Sequence, residues 1–177
     1  MNDAMSMGVH RLWKNDFIDM LDPGSSGPIK CLDVAGGTGD ISLRILDHAR
    51  EKYADRETQV TVSDINPDML EEGRRRFKQS MYWNSMYTSS IVTAHPAHEK
   101  YTSPLKAPQV EFEVANAQAL PKNKFPDNTF DMYTIAFGIR NCTSIPDVLR
   151  EAYRVLKPGG TFACLEFGKV ENPALAQ

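Results

Sequence analysis

Gly36, Gly37 and Gly39 crowd the stretch LDVAGGTGD, Leu32 to Asp40, between one apolar run and the next. Without Cβ atoms there, positive φ costs little and a ligand can lie against bare backbone. A tight strand-to-helix turn without a ligand would use the same residues, so the turn needs support from elsewhere. Asp64 supplies it. This residue closes the alternating run TQVTVS, and a carboxylate at that position can accept two hydrogen bonds from ribose hydroxyls. Starting the Asp-Ile-Asn-Pro turn is its plainer role. Asn116-Ala117 closes VEFEVA. The Asn116 side chain suits an adenine edge and the Ala117 N–H a ring nitrogen, although Asn is also a common turn former.

The spacing separates one adenosine ligand from another. A dinucleotide site uses G-x-G-x-x-G with a pyrophosphate at the helix N-terminus. Ser42 stands where the last glycine should be, and Asp40 would repel a pyrophosphate. S-adenosylmethionine carries no phosphate. Its ammonium and sulfonium suit carboxylates, which makes Asp33 and Asp40 candidates for the methionine end, and its carboxylate suits backbone N–H groups and Thr38.

The elements that must hold these residues alternate. Apolar residues from Ser6 to Leu21 recur at helical spacing and Asp22-Pro23-Gly24 ends that helix. Ile29–Ala35 reads as a buried strand, Asp40–Tyr53 as a helix and Thr58–Ser63 as a strand. Asn66-Pro67 provides an N-cap and first-turn proline for a helix to about Lys78, whose Arg74, Arg75, Arg76 and Lys78 read as a solvated face. Val110–Ala115 and Phe130–Phe137 read as strands, and Leu120–Thr129 as the loop between them. Ser144 and Asp147 form a capping-box-like pair opening a helix to about Lys157. Pro158-Gly159-Gly160 turns the chain into a fifth strand, Thr161–Phe167. The rhythm is that of an α/β, Rossmann-like, doubly wound and mostly parallel sheet with helices on both faces. Ligands of such sheets bind beyond the carboxyl ends of the strands where the strand order reverses.

Residues 1–28 therefore form an N-terminal helical cover, and residues 29–79 with 109–177 form the core. Residues 80–108 form a flexible insertion without periodicity. In that insertion His95 and His98 lack a nearby carboxylate or cysteine, so no metal is expected. The chain has 177 residues, 41% hydrophobic, with a net charge of -3, which suits one domain and offers no basic surface for nucleic acid. Its scattered cysteines make no disulfide framework or metal spacing, and Cys31 and Cys164 fall in expected core strands. No stretch approaches the roughly 20 apolar residues of a membrane span. The opening MNDAMSMGVHRLWK is neither a signal nor a transit peptide.

The segments LDVAGGTGD, VSDINPDML, ANAQALP, DMYTIAFGIRN and YRVLKPGGTFACLEF together resemble class I S-adenosylmethionine-dependent methyltransferases. The combination of MNDAMSMGVHRLWK, AGGTGD and FGIRN narrows this. It resembles the C-methyltransferases of ubiquinone and menaquinone biosynthesis, in a mitochondrial, fungal branch, over nearly the whole chain outside the insertion. The resemblance implies cofactor contacts from Thr38, Asp64, Asn116 and Ala117, beside the Gly36, Gly37 and Gly39 backbone and Asp33 already read as candidates. Ala136 stands where bacterial relatives carry serine, and Ala35 replaces the first glycine of the wider class motif.

The implied reaction is methyl transfer to a ring carbon of a polyprenyl methoxy-benzoquinol. Arg140 is the candidate for stabilising phenolate charge, or else a structural ion-pair partner. Asn141 could bond a quinol oxygen. His10, with Asn2 and Asp3, lies in the segment resembling the active-site cover, where His10 is a candidate base or a packing residue. The resemblance further implies a mitochondrial location, peripheral on the matrix side of the inner membrane. Other ubiquinone-biosynthesis proteins are implied as partners, and a homo-oligomer stays open. Relatives continue further at both ends, so the targeting segment and the C-terminal strands of the methyltransferase fold are expected to be missing. A weakly active or inactive cofactor-binding scaffold is therefore the second reading, and an NAD-type dehydrogenase a distant third.

Overall fold

A computed structural model describes residues 9–83 and 108–168. The expectations for Asn2, Asp3, His95, His98 and most of the insertion lie outside the described residues. Helix α1 covers Val9–Leu21, β1 Lys30–Val34, α2 Asp40–Tyr53, β2 Gln59–Asp64 and α3 Pro67–Phe77. Strand β3 covers Val110–Val114, β4 Phe130–Ala136, α4 Ile145–Val155 and β5 Leu156–Leu165, with a short 3-10 turn at Ile139–Asn141 before α4. The five strands are all parallel in the order β3-β2-β1-β4-β5. The order reverses between β1 and β4, so the loops leaving those strands diverge and open a crevice.

Each face of the sheet carries its own core. On one, Ile41, Ile45 and Leu46 of α2, Leu70 and Phe77 of α3, and Phe17 and Ile18 of α1 bury against Val60, Val62 and Phe112. On the other, Val148, Ala152 and Val155 of α4 bury with Phe125 against Leu32, Tyr133 and Ile135. The helical spacing of these residues is what fixes which face each helix presents.

Helix α3 starts as its sequence demands. Asn66 accepts the N–H groups of Asp68 (2.9 Å) and Met69 (3.4 Å), with Pro67 in the first turn. Asn66→Ala is expected to cost about 1 kcal/mol, measured as a lower urea midpoint at unchanged slope. Helix α4 starts differently from the expected capping box. Ser144 makes no side-chain cap, and its own N–H donates 2.7 Å to Gln118 Oε1 instead.

Strand β5 also begins earlier than expected. Leu156 pairs with Phe130 and Thr161 with Met132, so Lys157–Gly160 bulge out opposite Asp131 rather than turning the chain into the strand. Asp131 holds the bulge by accepting Lys157 Nζ (2.7 Å) and the Lys30 N–H (2.8 Å). Cys31 is buried as expected, but Cys164 is exposed. It points away from Ala163, the β5 residue that meets the α2/α3 core, because neighbouring strand residues face opposite sides. At the near edge of the insertion, Tyr82 is buried and its hydroxyl donates 2.5 Å to Asp47, while the Gln109 N–H donates to the Tyr82 carbonyl (3.0 Å).

Candidate functional site

The turn between β1 and α2 is built by backbone geometry. Gly39 lies at φ +79, and a Cβ there would stand 2.8 Å from the Phe77 ring. The Gly36 N–H donates to Ser63 O (3.1 Å), and the Gly37 N–H donates 2.9 Å to Asp64 Oδ2. Asp64 Oδ1 accepts the Asn66 N–H at 2.8 Å. Asp64 thus fixes the glycine turn and starts α3 while each oxygen keeps a lone pair.

Across the crevice the chain leaves β4 through Phe137 and Gly138. Ala35 (φ 53) and Phe137 (φ 56) both hold the left-handed conformation, a strain concentrated at the two turns of the switch point. A Cβ on Gly138 would lie 2.5 Å from the Ala35 Cβ, so these turns approach as closely as glycine permits.

Between them opens a cleft of about 360 Å³ lined by Val34, Ala35, Asp64, Ile65, Ala115, Asn116, Ala117, Gln118, Phe137, Gly138, Asn141, Cys142 and Thr143. It therefore brings together four expected residues, Asp64, Asn116, Ala117 and Asn141. Asn116 Oδ1 accepts the Gln118 N–H (3.0 Å) in a turn of its own, leaving the amide NH2 as the group for a ligand. Gln118, Cys142 and Thr143 were not expected. Gln118 Oε1 accepts the Thr143 hydroxyl (3.0 Å) and the Ser144 N–H, tying the wall after β3 to the wall after β4. Burial pushes the Cys142 thiol up from its ordinary range.

Other expected residues are held elsewhere. Asp33 is fully buried within β1, accepting the Ser42 hydroxyl (2.6 Å) and the Thr134 hydroxyl (2.9 Å). Burial pushes its carboxyl up to about 6 against those two donors. Ser42, where a dinucleotide site would have glycine, is thus a partner for Asp33. Thr38 Oγ1 accepts Arg76 Nη1 at 2.8 Å, and Arg74 Nη2 donates to the Phe112 carbonyl (2.8 Å). Arg75, paired with Glu72, is exposed as expected of a solvated face, and so are Arg76 and Lys78, whereas Arg74 is half-buried. Asp40 is reached by Lys14 of α1 at 2.8 Å and by Arg44 at 3.5 Å. Burial opposes its ionisation, but those two cations outweigh it and hold the carboxyl below its usual range.

Arg140 forms an ion pair with Glu166 and lies over the Phe167 ring, 4.9 Å from its centroid. Phe167 stacks 4.9 Å from Phe137 and meets Trp13 of α1 edge-on at 5.8 Å. Glu166 Oε2 is buried with no hydrogen bond among the described residues. His10 is buried on the first turn of α1 and does not line the cleft.

The donor set fits an adenosine ligand without phosphates: one carboxylate for hydroxyls, one amide for a base edge, apolar walls from Val34, Ile65, Ala115 and Ala117, and no lining cation. The comparisons agree with this chemistry. Residues 1–103 and 95–177 match the ubiE/COQ5 methyltransferase family. The chain is 55% identical over its whole length to half of the mitochondrial 2-methoxy-6-polyprenyl-1,4-benzoquinol methylase of Schizosaccharomyces pombe. It is 46% identical over 99% of its length to 55% of the ubiquinone/menaquinone biosynthesis C-methyltransferase UbiE of Bartonella henselae. The chain spans about half the length of the curated relatives it matches.

Two solved structures share the fold. One is a SAM dependent methyltransferase from Aquifex aeolicus (TM-score 0.61, 20% identity, covering 90% of this chain and 66% of that one). The other is the [4+2]-cyclase SpnF (TM-score 0.59, 23% identity, 86% and 44%). A cyclase on the same frame means that the frame by itself does not fix the reaction.

Proposed function

Because the chain belongs to the ubiE/COQ5 methyltransferase family, we propose that it serves S-adenosylmethionine-dependent C-methylation of a polyprenyl methoxy-benzoquinol ring in ubiquinone biosynthesis. The observation that carries this reading is the cleft at the reversal of strand order, which gathers Asp64, Asn116, Ala117 and Asn141. When bound, the cofactor supplies an electrophilic methyl group on a sulfonium. The residues of this chain supply its seat. The free lone pairs of Asp64 take ribose hydroxyls, the Asn116 amide and Ala117 N–H take the adenine edge, and the glycine turn admits the ligand to the backbone. Asn141 is placed to bond a quinol oxygen. Arg140 sets a permanent positive charge beside the wall after β4, where phenolate charge would develop. Because Glu166 already pairs with it, part of that charge is spent, and this favours the weakly catalytic scaffold as the second reading.

Holding a ring carbon in line with the transferring methyl is mostly a matter of positioning. The lipid tail of the substrate supports peripheral contact with the matrix face of the mitochondrial inner membrane, alongside other proteins of the same pathway. No helix among the described residues is long and apolar enough to cross a membrane.

Calorimetric titration of the folded chain with S-adenosylmethionine and S-adenosylhomocysteine is expected to show one site, and absence of binding would overturn the proposal. Transfer of labelled methyl to a short-chain quinol then separates the two readings: turnover excludes the scaffold, whereas binding without turnover selects it.

A further inference from the structure

The cover helix places a cation at the reversal point of the sheet. Lys14 Nζ lies 2.8 Å from Asp40 Oδ2, just past the glycine turn after β1, and 6.0 Å from the centroid of Phe137, just past β4. The Lys14 side chain is only 13% exposed. The ammonium therefore spans the gap between the two diverging loops, next to a cleft-lining ring.

Docking of α1 does not rest on this pair alone, although Arg44, which shares Asp40, also donates to Asn15 of α1. Phe17 and Ile18 already bury that helix in the core. At its far end Asp22 receives Lys52 (2.7 Å) and the Tyr53 hydroxyl (2.7 Å), and its other contact is His48 Nε2 at 2.8 Å. Both groups of the Lys14–Asp40 pair also keep unused capacity. Lys14 and Arg44 both donate to Asp40 Oδ2, and among the described residues Oδ1 accepts no hydrogen bond. An ammonium has three donors, of which Lys14 uses one on Asp40. A free carboxylate oxygen beside a free ammonium donor is the charge complement of an α-amino acid, which carries an ammonium and a carboxylate on one carbon.

We propose that Lys14 and Asp40 form a clamp for the amino-acid end of the cofactor, with Asp40 Oδ1 taking its ammonium and Lys14 its carboxylate. The assignment rests on the reading of the cleft as an S-adenosylmethionine site. It adds the cover helix to that site, so the α1 segment reports on whether the methionine end is filled.

Decarboxylated S-adenosylmethionine keeps the adenosine, the sulfonium and the ammonium and lacks only the carboxylate. Isothermal titration of the wild-type chain with both ligands is expected to favour the complete cofactor by roughly tenfold to a hundredfold, the range for one charge-assisted bond. Lys14→Met is expected to weaken the complete cofactor by that factor, leave the decarboxylated ligand within about twofold, and so erase the preference. Asp40→Asn is expected to weaken both ligands alike. If neither ligand binds the wild type, the cofactor reading itself fails, and the clamp with it. If both bind the wild type equally, the clamp alone is overturned, a result that needs no variant to fold. A preference that persists in folded Lys14→Met, checked by circular dichroism, overturns it as well.

Discussion

Asp64→Ala is expected to lower the affinity for S-adenosylmethionine by at least about a hundredfold, because two charge-assisted bonds to ribose hydroxyls are lost, each worth about 1.5–3 kcal/mol. The substitution also strips the acceptor from the Gly37 N–H and the Asn66 N–H. The glycine turn then loses its tie to β2, and the ligand's seat loosens along with its anchor. Asp64→Asn keeps one oxygen acceptor and nearly the same shape. It is expected to fall between the wild type and Asp64→Ala in affinity. Titration calorimetry gives the affinities, and urea unfolding of the ligand-free variants separates loss of binding from loss of fold. Affinity within about threefold of wild type in folded Asp64→Ala would remove Asp64 from the site.

The second large effect lies beneath the site and is one of stability against pH. The Asp33 carboxyl is raised by burial to about 6 from an ordinary 3.8. Between those values the native chain holds a proton that the unfolded chain has released. The contribution of Asp33 to stability is therefore complete below about pH 4 and is lost as the pH rises through 6. A shift of about two units corresponds to about 3 kcal/mol. The carboxylates with lowered values, Asp40 and Asp131 among them, slope the opposite way. The test is therefore the difference between wild type and Asp33→Asn, which cannot ionise. Relative to wild type, the variant is expected to gain about 3 kcal/mol between pH 4 and pH 7 in urea unfolding. A difference that stays flat across that window would show that the Ser42 and Thr134 hydroxyls keep Asp33 ionised throughout.

Local pattern carried most of the frame. The apolar spacing of Ile41, Ile45, Leu46 and Ala49 marks α2 with the same ends, Asp40 and Tyr53, that the structure gives it. Asn66-Pro67 marks the start of α3 because both of its signals act within three residues. Strand β5 was harder to read. Lys157-Pro158-Gly159-Gly160 has the composition of a turn, and only the register against β4 reveals it as a bulge within a paired strand.

The site divides in the same way. Asp64 ends β2, and Asn116 and Ala117 follow just after β3, where the order of elements alone places them near the crevice. Gln118, Lys14 and Glu166 act across 26 positions of the chain, on Ser144, Asp40 and Arg140. Such a contact leaves no periodicity. Asp33 and Ser42 are nine residues apart, yet an acid inside an apolar strand looks the same in sequence whether it faces a ligand or a buried hydroxyl.

Gln118 joins the loop after β3 to the start of α4, so the wall that would hold adenine and the wall that carries Arg140 and Asn141 behave as one piece. Occupying the first would set the second before an acceptor arrives, and by reciprocity the acceptor would tighten the hold on the first. The expected kinetic signature is an ordered sequence, cofactor on first and demethylated cofactor off last. In Gln118→Ala, with the crosspiece gone, the two ligands would enter in either order.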